Sequence, residues 1–530
     1  MPVPPAQMNP ATRLVQGPGK ILLEENSRTA LTIVTTTTEA RKVPQFLAAF
    51  TATLGALCAG TYFSWSASVS ADLVQKGNNA TANANATEDD GQAMLSLEHF
   101  SWVVSMLMIG ACGGSLVAGM AANRLGRQRT LVLLSVPMVV SWLLMSATAS
   151  ATCLLLGRAL GGISIGAVSV VAGMYVSEVA EPSVRGTLGA FFQLQITVGM
   201  LLGFVLGLLR NPVHLAYVNI ALPVVYAALF WSMPESPVFL LSRGLSERAR
   251  ASLQWLRGPE YDVSEEMAAM RHSIMESAQT KSGVRDLFKS RVAIKGMVVA
   301  LGLMAAQQLS GVNAVIAYAS DIFKASGSSM DPDQCNIIMG VVQVASTFLS
   351  MVLADRAGRR VLLLLSSGVM TICLATLGTY FHLANVHPDG MQVITWLPLV
   401  AVAVFITAFS LGLGPLPWCV VSEVFSPSVK GAAASVACGA NWLMAFFVTK
   451  FFTNLASAFG KSGTFFVFTF IAAVGTLFIA LVVPETKGKT LDEILAELTG
   501  SRVRSRPADG VPAAIEEEEE ADFVRKPFPL

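Results

Sequence analysis

Gln307, Gln308 and Asn313 interrupt an otherwise apolar run, in the stretch Gln307-Gln308-Leu309-Ser310-Gly311-Val312-Asn313. An amide buried in a membrane-length apolar helix is costly unless it finds partners or faces a water-filled cavity. Carboxamides both donate and accept hydrogen bonds, as the hydroxyls of a neutral polyol do. Such a cluster therefore suits a neutral hydroxylated ligand better than charged side chains would. The competing reading is hydrogen bonding between helices, a common use of these residues. Positions 307 and 311 lie one helical turn apart, whereas 308 and 313 are five apart, so a straight helix cannot aim them all one way. A break near Gly311 lets them converge.

A second set of polar residues comes in duplicate. Asn123-Arg124-Leu125-Gly126-Arg127 follows the second apolar run, and Asp355-Arg356-Ala357-Gly358-Arg359-Arg360 follows the eighth. Further along each half stands a Glu upstream of a basic-Gly pair, Glu178 with Arg185-Gly186 and Glu423 with Lys430-Gly431. Each half closes on Pro-Glu-hydroxyl, at Pro234-Glu235-Ser236 and Pro484-Glu485-Thr486. Matching charged loops in two apolar halves predict a six-plus-six helix bundle with a site at the interface, as in many transporters. That points to moving a solute rather than to making or breaking bonds. The 5 His are scattered, and no Ser-His-Asp set, metal cluster or phosphate loop is evident, so neither an enzyme nor a cofactor is expected.

Membrane-crossing helices must position these residues. Of 530 residues, 53% are hydrophobic and 13% charged, against about 25% charged in a typical soluble domain. Gln45–Val69, Thr187–Leu209 and Thr464–Val483 are nearly uncharged and each reach the roughly 20 residues that cross a hydrocarbon core. Twelve spans are expected, at roughly 45–70, 98–121, 130–149, 151–176, 187–209, 213–233, 296–317, 334–353, 361–382, 393–417, 433–456 and 464–483. Loops after even-numbered spans, through the tenth, hold 18 Lys and Arg, and loops after odd-numbered spans hold 4. Positive residues stay in the cytoplasm, so both termini are expected there. The fold class is an all-α membrane protein, with a tail over 1–44, a six-helix half over 45–233, a connector over 234–295, a second half over 296–483 and a C-terminal segment over 484–530. A net charge of +1 gives no electrostatic case for nucleic acid.

The first 44 residues lack the basic start and short apolar core of a signal peptide, so none is expected. The loop after span 1 holds two sequons, at Asn79 and Asn85, which the charge count places outside. Six of the 7 Cys lie in or beside spans and no disulfide is evident. In the connector, Asp262-Val263-Ser264-Glu265 reads as a capping-box variant before a helix over 266–279, and Thr490-Leu491-Asp492-Glu493 as a second box. Pro, Arg and the run Glu516–Glu520 predict a disordered tail after Gly500. Gly157, Gly161, Gly162 and Gly166 have small-xxx-small spacing for close helix contact. Gly412, Gly414, Pro415 and Pro417 predict a break in span 10.

The paired Arg-x-Gly-Arg loops, Pro-Glu-Ser-Pro at 234–237, the 307–313 segment, Gly414-Pro415-Leu416-Pro417-Trp418 and Pro484-Glu485-Thr486-Lys487-Gly488 resemble the sugar porter family of the major facilitator superfamily. The resemblance runs from about residue 45 to 497 and rests on several independent motifs. Within the family, Ala437–Lys450 and the final span are similar to arthropod facilitated trehalose transporters and related facilitated glucose transporters. It implies a sugar substrate, a plasma-membrane location and a functional monomer.

The resemblance also implies that Gln193, Trp418 and Asn441 complete the cavity begun by Gln307, Gln308 and Asn313. Gln343 stands where the family more often has Asn, and Ala317 where an aromatic often precedes Tyr318. It implies a connector-side gate in which Arg124 and Arg127 meet Glu178 and a carboxylate of the opposite half, such as Glu485. Arg356 and Arg359 are expected to meet Glu423, with Glu235 from the first half. Asn123, Gln128 and Val238 depart from the usual residues, so the first-half set is expected to latch the more weakly. Proton-coupled relatives oppose a span 1 carboxylate to an Arg in span 4. Here Arg158 is present, Gln45–Val69 contains no Asp or Glu, and Ser410 stands where some hexose facilitators have Glu. That implies a uniporter. The alternatives are a proton symporter with a displaced acid and a sugar receptor that does not transport.

Overall fold

The computed structural model describes residues 40–73, 95–147, 150–279, 291–317, 331–387, 394–425 and 427–487, with a few isolated positions beside them. Eleven helices there are long and apolar enough to cross a membrane. Spans 1 to 6 are Val43–Leu73, Leu97–Leu125, Arg127–Ser146 (turned once at Leu134), Ala151–Val179, Arg185–Gly207 and Pro212–Trp231. Span 7 is Arg291–Leu309 continued by Val312–Ala317. Spans 8 and 9 are Pro332–Ala357 and Arg359–Val386, and span 10 is Leu397–Leu411 continued by Leu416–Val424.

Twelve crossings were expected, and the difference lies at one residue. The last helix runs from Pro427 to Val482, 56 residues, with non-helical backbone only at Gly460 (φ 68°, ψ 171°). A straight helix of that length would measure about 84 Å, against a hydrocarbon core of about 30 Å. The chain turns at Gly460, and the two arms are treated below as spans 11 and 12.

Local chemistry fixes where several helices start. Ser96, Ser150, Asn211 and Asp331 each accept from a backbone N–H of the following first turn, and Pro212 and Pro332 occupy first helical positions. These capped starts open spans 2, 4, 6 and 8, all on the face opposite the connector, called the far side below. Between spans, small residues let backbones meet, since lipid offers helices little hydrophobic reason to associate. A Cβ on Gly162 or Gly166 would lie 2.1 Å from the carbonyl oxygen of Leu107 or 1.9 Å from that of Ala111, both on span 2. Gly157 instead faces span 3 at Ser141 and Met145, and Gly161 faces both Tyr62 of span 1 and Ser141 of span 3, so the four expected glycines serve three interfaces.

Three connector helices, Pro237–Ser242, Ser246–Arg257 and Ser264–Gln279, pack beneath the first half. The third begins at Ser264, two residues before the expected start, and its Ser264 N–H donates to Asp262 Oδ1 at 3.0 Å. Buried Arg257 donates to the Val179 carbonyl that ends span 4 (3.0 Å) and pairs with Glu266 at 2.6 Å. Ser252 Oγ donates to the Glu235 carbonyl at 2.6 Å. The segment around the second capping box lies largely outside the described residues, as do the sequons, the acidic tail and Tyr318; of Ala317 only the helical backbone is described.

On the far side the halves touch through span 11 and through spans 5 and 8. Phe63 stacks on Trp442 at 5.9 Å, Trp102 lies 6.2 Å from Phe446, and Arg210 pairs with Asp331 at 3.1 Å.

Candidate functional site

Both expected breaks are present, and they face one another. Gly311 adopts φ +83°, a conformation that side chains disfavour, and ends the first segment of span 7. In span 10 the helix stops at Gly412 and resumes at Leu416, leaving the carbonyls of Leu413 and Gly414 without helical partners. Gln307 supplies the missing donor: its Nε2 donates to Leu413 O at 2.7 Å and Gly414 O at 2.8 Å. Span 9 supports the same break, with Ser366 Oγ accepting from Leu413 N–H at 3.0 Å.

From there a chain of carboxamides runs across three helices. Asn441 Nδ2 on span 11 donates to Gln307 Oε1 at 2.7 Å, and Gln308 Nε2 donates to Asn441 Oδ1 at 2.8 Å. Asn313 Nδ2 closes the chain on Gln308 Oε1. The break at Gly311 brings 308 and 313 together as anticipated. Hydrogen bonding between helices and lining of a cavity, posed as alternatives from sequence, are both realised by the same side chains.

The cavity itself holds about 790 Å³ of empty space, part of it open to solvent. All seven residues expected at the site line it: Gln193, Gln307, Gln308, Asn313, Gln343, Trp418 and Asn441. Gln193 on span 5 and Gln343 on span 8 have no hydrogen-bond partner among the described residues, so their amides face the space uncommitted. Phe63, Met108, Phe192 and Ile196 give the first half a mainly apolar wall, and the amides concentrate on the second. Sequence reasoning missed these apolar residues and Thr449, because nothing distinguishes them from residues that face lipid.

Arg158 also lines the space, with its side chain almost wholly buried. Its guanidinium donates to the carbonyls of Tyr62 (2.7 Å), Val103 (3.2 Å) and Val104 (3.2 Å) and lies 5.2 Å from the Trp65 ring. Carbonyls and an indole take the place of a carboxylate. Among the described residues no Asp or Glu lines the cavity.

On the connector side two of the expected pairs form, and the expected contacts between halves do not. Arg127 pairs with Glu178 at 2.9 Å and Arg359 with Glu423 at 3.5 Å, each within its own half. Glu235 and Glu485 do not cross between halves. Glu235 Oε1 accepts from the backbone N–H groups of Arg127 (3.0 Å), Gln128 (3.1 Å) and Ser236 (2.8 Å). Glu485 accepts likewise from Arg359 (3.0 Å), Arg360 (3.1 Å), Thr486 (3.0 Å) and Lys487 (2.9 Å). The physical reason is that spans 3 and 9 begin here, and a carboxylate satisfies the unpaired N–H groups of a helix N-terminus. Gly126 (φ +97°) and Gly358 (φ +95°) make room, since a Cβ on Gly126 would lie 2.2 Å from Glu235 Oε2. Burial alone would raise the Glu485 carboxyl, but the N–H groups of Lys487, Arg359, Arg360 and Thr486 outweigh it and hold it below its usual value. Arg124 is exposed and joins no ion pair among the described residues, and the Arg356 side chain lies outside them.

Nor is the first-half set the looser one. Arg127 and Glu178 are 9% and 15% exposed, against 15% and 30% for Arg359 and Glu423. Ser236 Oγ also donates to Glu178, and Arg127 stacks 5.1 Å from the Phe239 ring. Gln128, one of the departures from the usual residues, itself donates from Nε2 to the Trp231 carbonyl at 2.9 Å and to the Met233 carbonyl.

A family model described as "Sugar (and other) transporter" matches residues 51–498. The chain belongs to this sugar transporter family. A facilitated trehalose transporter, Tret1 of Polypedilum vanderplanki, is 39% identical over 462 residues, which is 87% of this chain and 89% of that one. Tret1 of Anopheles gambiae is 38% identical over 498 residues, 91% of this chain, and the chain spans only 61% of that relative's length. Among solved structures, the major facilitator superfamily proton:xylose symporter XylE bound to 6-bromo-6-deoxy-D-glucose matches with a TM-score of 0.70 and 25% identity, over 86% of this chain and 99% of that one. The family member thus has the major facilitator fold, two pseudo-symmetric halves around a central cavity.

Proposed function

We propose that the chain is a facilitative sugar transporter, carrying trehalose or a hexose such as glucose down its gradient by alternating access. The observation that carries this reading is the cavity's composition. Neutral amides, two of them uncommitted, stand opposite an apolar wall, the pairing a sugar needs for its hydroxyls and its C–H faces. Trp418 adds a flat ring to that set. The absence of an acid among the described lining residues supports uniport, because proton coupling needs a titratable carrier. Relatives named as facilitated trehalose transporters favour the same substrate class.

The proton-coupled reading is favoured by the XylE likeness and by the buried Arg158. Radiolabelled uptake of trehalose and of glucose in one expressing cell, with and without a protonophore, separates the two. Flux of either sugar should saturate, run in both directions and persist without a proton gradient. Accumulation above the outside concentration, abolished by the protonophore, would sink the uniport reading. In this proposal the chain works as a monomer in the plasma membrane with both termini in the cytoplasm, and the Arg127–Glu178 and Arg359–Glu423 pairs belong to the connector-side gate.

A further inference from the structure

Span 11 carries one charged residue between Gly431 and Gly460, Lys450, and that residue is 5% exposed. Its Nζ donates to Ser101 Oγ at 2.8 Å and sits 4.4 Å from the centre of the Trp102 ring. Both partners are on span 2, in the other half. The Ser101 hydroxyl in turn donates a hydrogen bond to the Glu98 carbonyl at 2.8 Å. Neither partner is charged, and no carboxylate pairs with Lys450 among the described residues. The residue before it, Thr449, lines the cavity.

A buried ammonium needs a counter-charge and several acceptors to recover its hydration. One hydroxyl and one indole face offset only part of that cost. Around the same contact, Phe63 on Trp442 and Trp102 beside Phe446 close the far side with apolar surface. Lys450 therefore opposes the closure in which it takes part, and water entering between spans 2 and 11 relieves it. We propose that Lys450 is a positioning residue of the transport cycle, whose buried ammonium biases the far side toward opening. An alternating-access protein needs both faces comparably accessible, and an all-apolar closure would leave one of them rarely populated. The inference rests on the transport reading above.

The test uses the full chain with a Ser66→Cys reporter in the cavity wall, labelled by a membrane-impermeant thiol reagent from the far side. Lys450→Met keeps a long apolar side chain and removes the charge. It should slow labelling roughly three- to tenfold and lower the maximal sugar uptake rate, because the closed state is relieved of its cost. Ser101→Ala keeps the charge and removes its hydroxyl partner, so it should speed labelling. Lys450→Arg should stay within about twofold of the parent. Faster labelling in Lys450→Met would make the residue a latch and overturn the proposal, as would unchanged labelling in both Lys450→Met and Ser101→Ala. If labelling shifts as expected but the parent carries neither trehalose nor glucose, the sugar reading fails and the Lys450 bias stands. If sugar is carried and labelling does not move, the reverse holds.

Discussion

Arg127 donates to a single oxygen of Glu178 from both Nε and Nη2, at 3.2 and 2.9 Å. The equivalent contact in the second half, Arg359 to Glu423, is longer at 3.5 Å and more exposed. Breaking a well-buried pair leaves an uncompensated charge, whereas an exposed one contributes little. Glu178→Gln should therefore cut sugar flux roughly tenfold or more at matched surface levels, and Glu423→Gln by no more than about threefold. Uptake rates normalised to surface-biotinylated protein check the order. Equal flux in both variants and the wild type would remove these pairs from the gate.

The amide chain gives its members separable roles. The Gln308 amide hydrogen-bonds only to other amides among the described residues, so Gln308→Ala should raise the half-saturation concentration roughly two- to tenfold, the value of about one neutral hydrogen bond. Gln307 also holds the Leu413 and Gly414 carbonyls. Gln307→Leu should therefore lower the maximal rate more than the affinity. Initial-rate uptake over a range of sugar concentrations distinguishes the two effects.

Glu485 makes a pH-dependent contribution. Its carboxyl is held below the ordinary 4.5 in the folded chain, so the stabilisation is fully present above that value and is lost as pH falls through the depressed one. Glu485→Gln should melt at a lower temperature than wild type in detergent at neutral pH. The gap should close only when the pH drops below the ordinary carboxylate range. A gap that already narrows between pH 7 and 6 would assign the effect to another group.

Gly311→Ala places a Cβ 3.0 Å from the Phe468 ring, on backbone with φ +83°. The left-handed conformation alone costs an L-residue about 1–2 kcal/mol. Thermal stability should fall, and sugar affinity with it, because the break aligns Gln308 and Asn313. Gly368→Ala, where an added Cβ meets nothing within 4 Å, should leave both unchanged.

Orientation is testable at Asn79 and Asn85. If the loop after span 1 faces outside, replacing both with Gln should reduce the apparent mass to that of glycosidase-treated protein. A wild-type band that neither treatment shifts would contradict that placement.

Polar residues inside apolar runs were legible from sequence because membrane burial makes each of them costly without a purpose. Gln307, Gln308 and Asn313 stand out on that ground, Asn441 came only with the family resemblance, and Gly311 and the Gly and Pro cluster of span 10 marked the two breaks. Pairing across the connector side was not legible. The repeat says that Glu235 corresponds to Glu485, but correspondence between halves is not proximity. Each carboxylate follows the sixth span of its half, and folding returns it to the start of the third span of that same half. Lys450 did carry a signal, a single charge in an apolar run, whose meaning needed the position of Ser101 and Trp102.

The turn at Gly460 bears on how the chain enters its membrane. With one non-helical residue between two arms, 52 consecutive residues from Gly431 to Val482 form a single apolar helical unit. The first arm brings Asn441 and Lys450, groups that a lone helix in lipid tolerates poorly. Its partner arm packs beside it, with Phe452 stacked on Phe468 at 6.2 Å. Each arm therefore depends on the other for part of its packing, and a chain truncated between them should hold its first arm in the bilayer less well, which protease protection of the truncated chain would read.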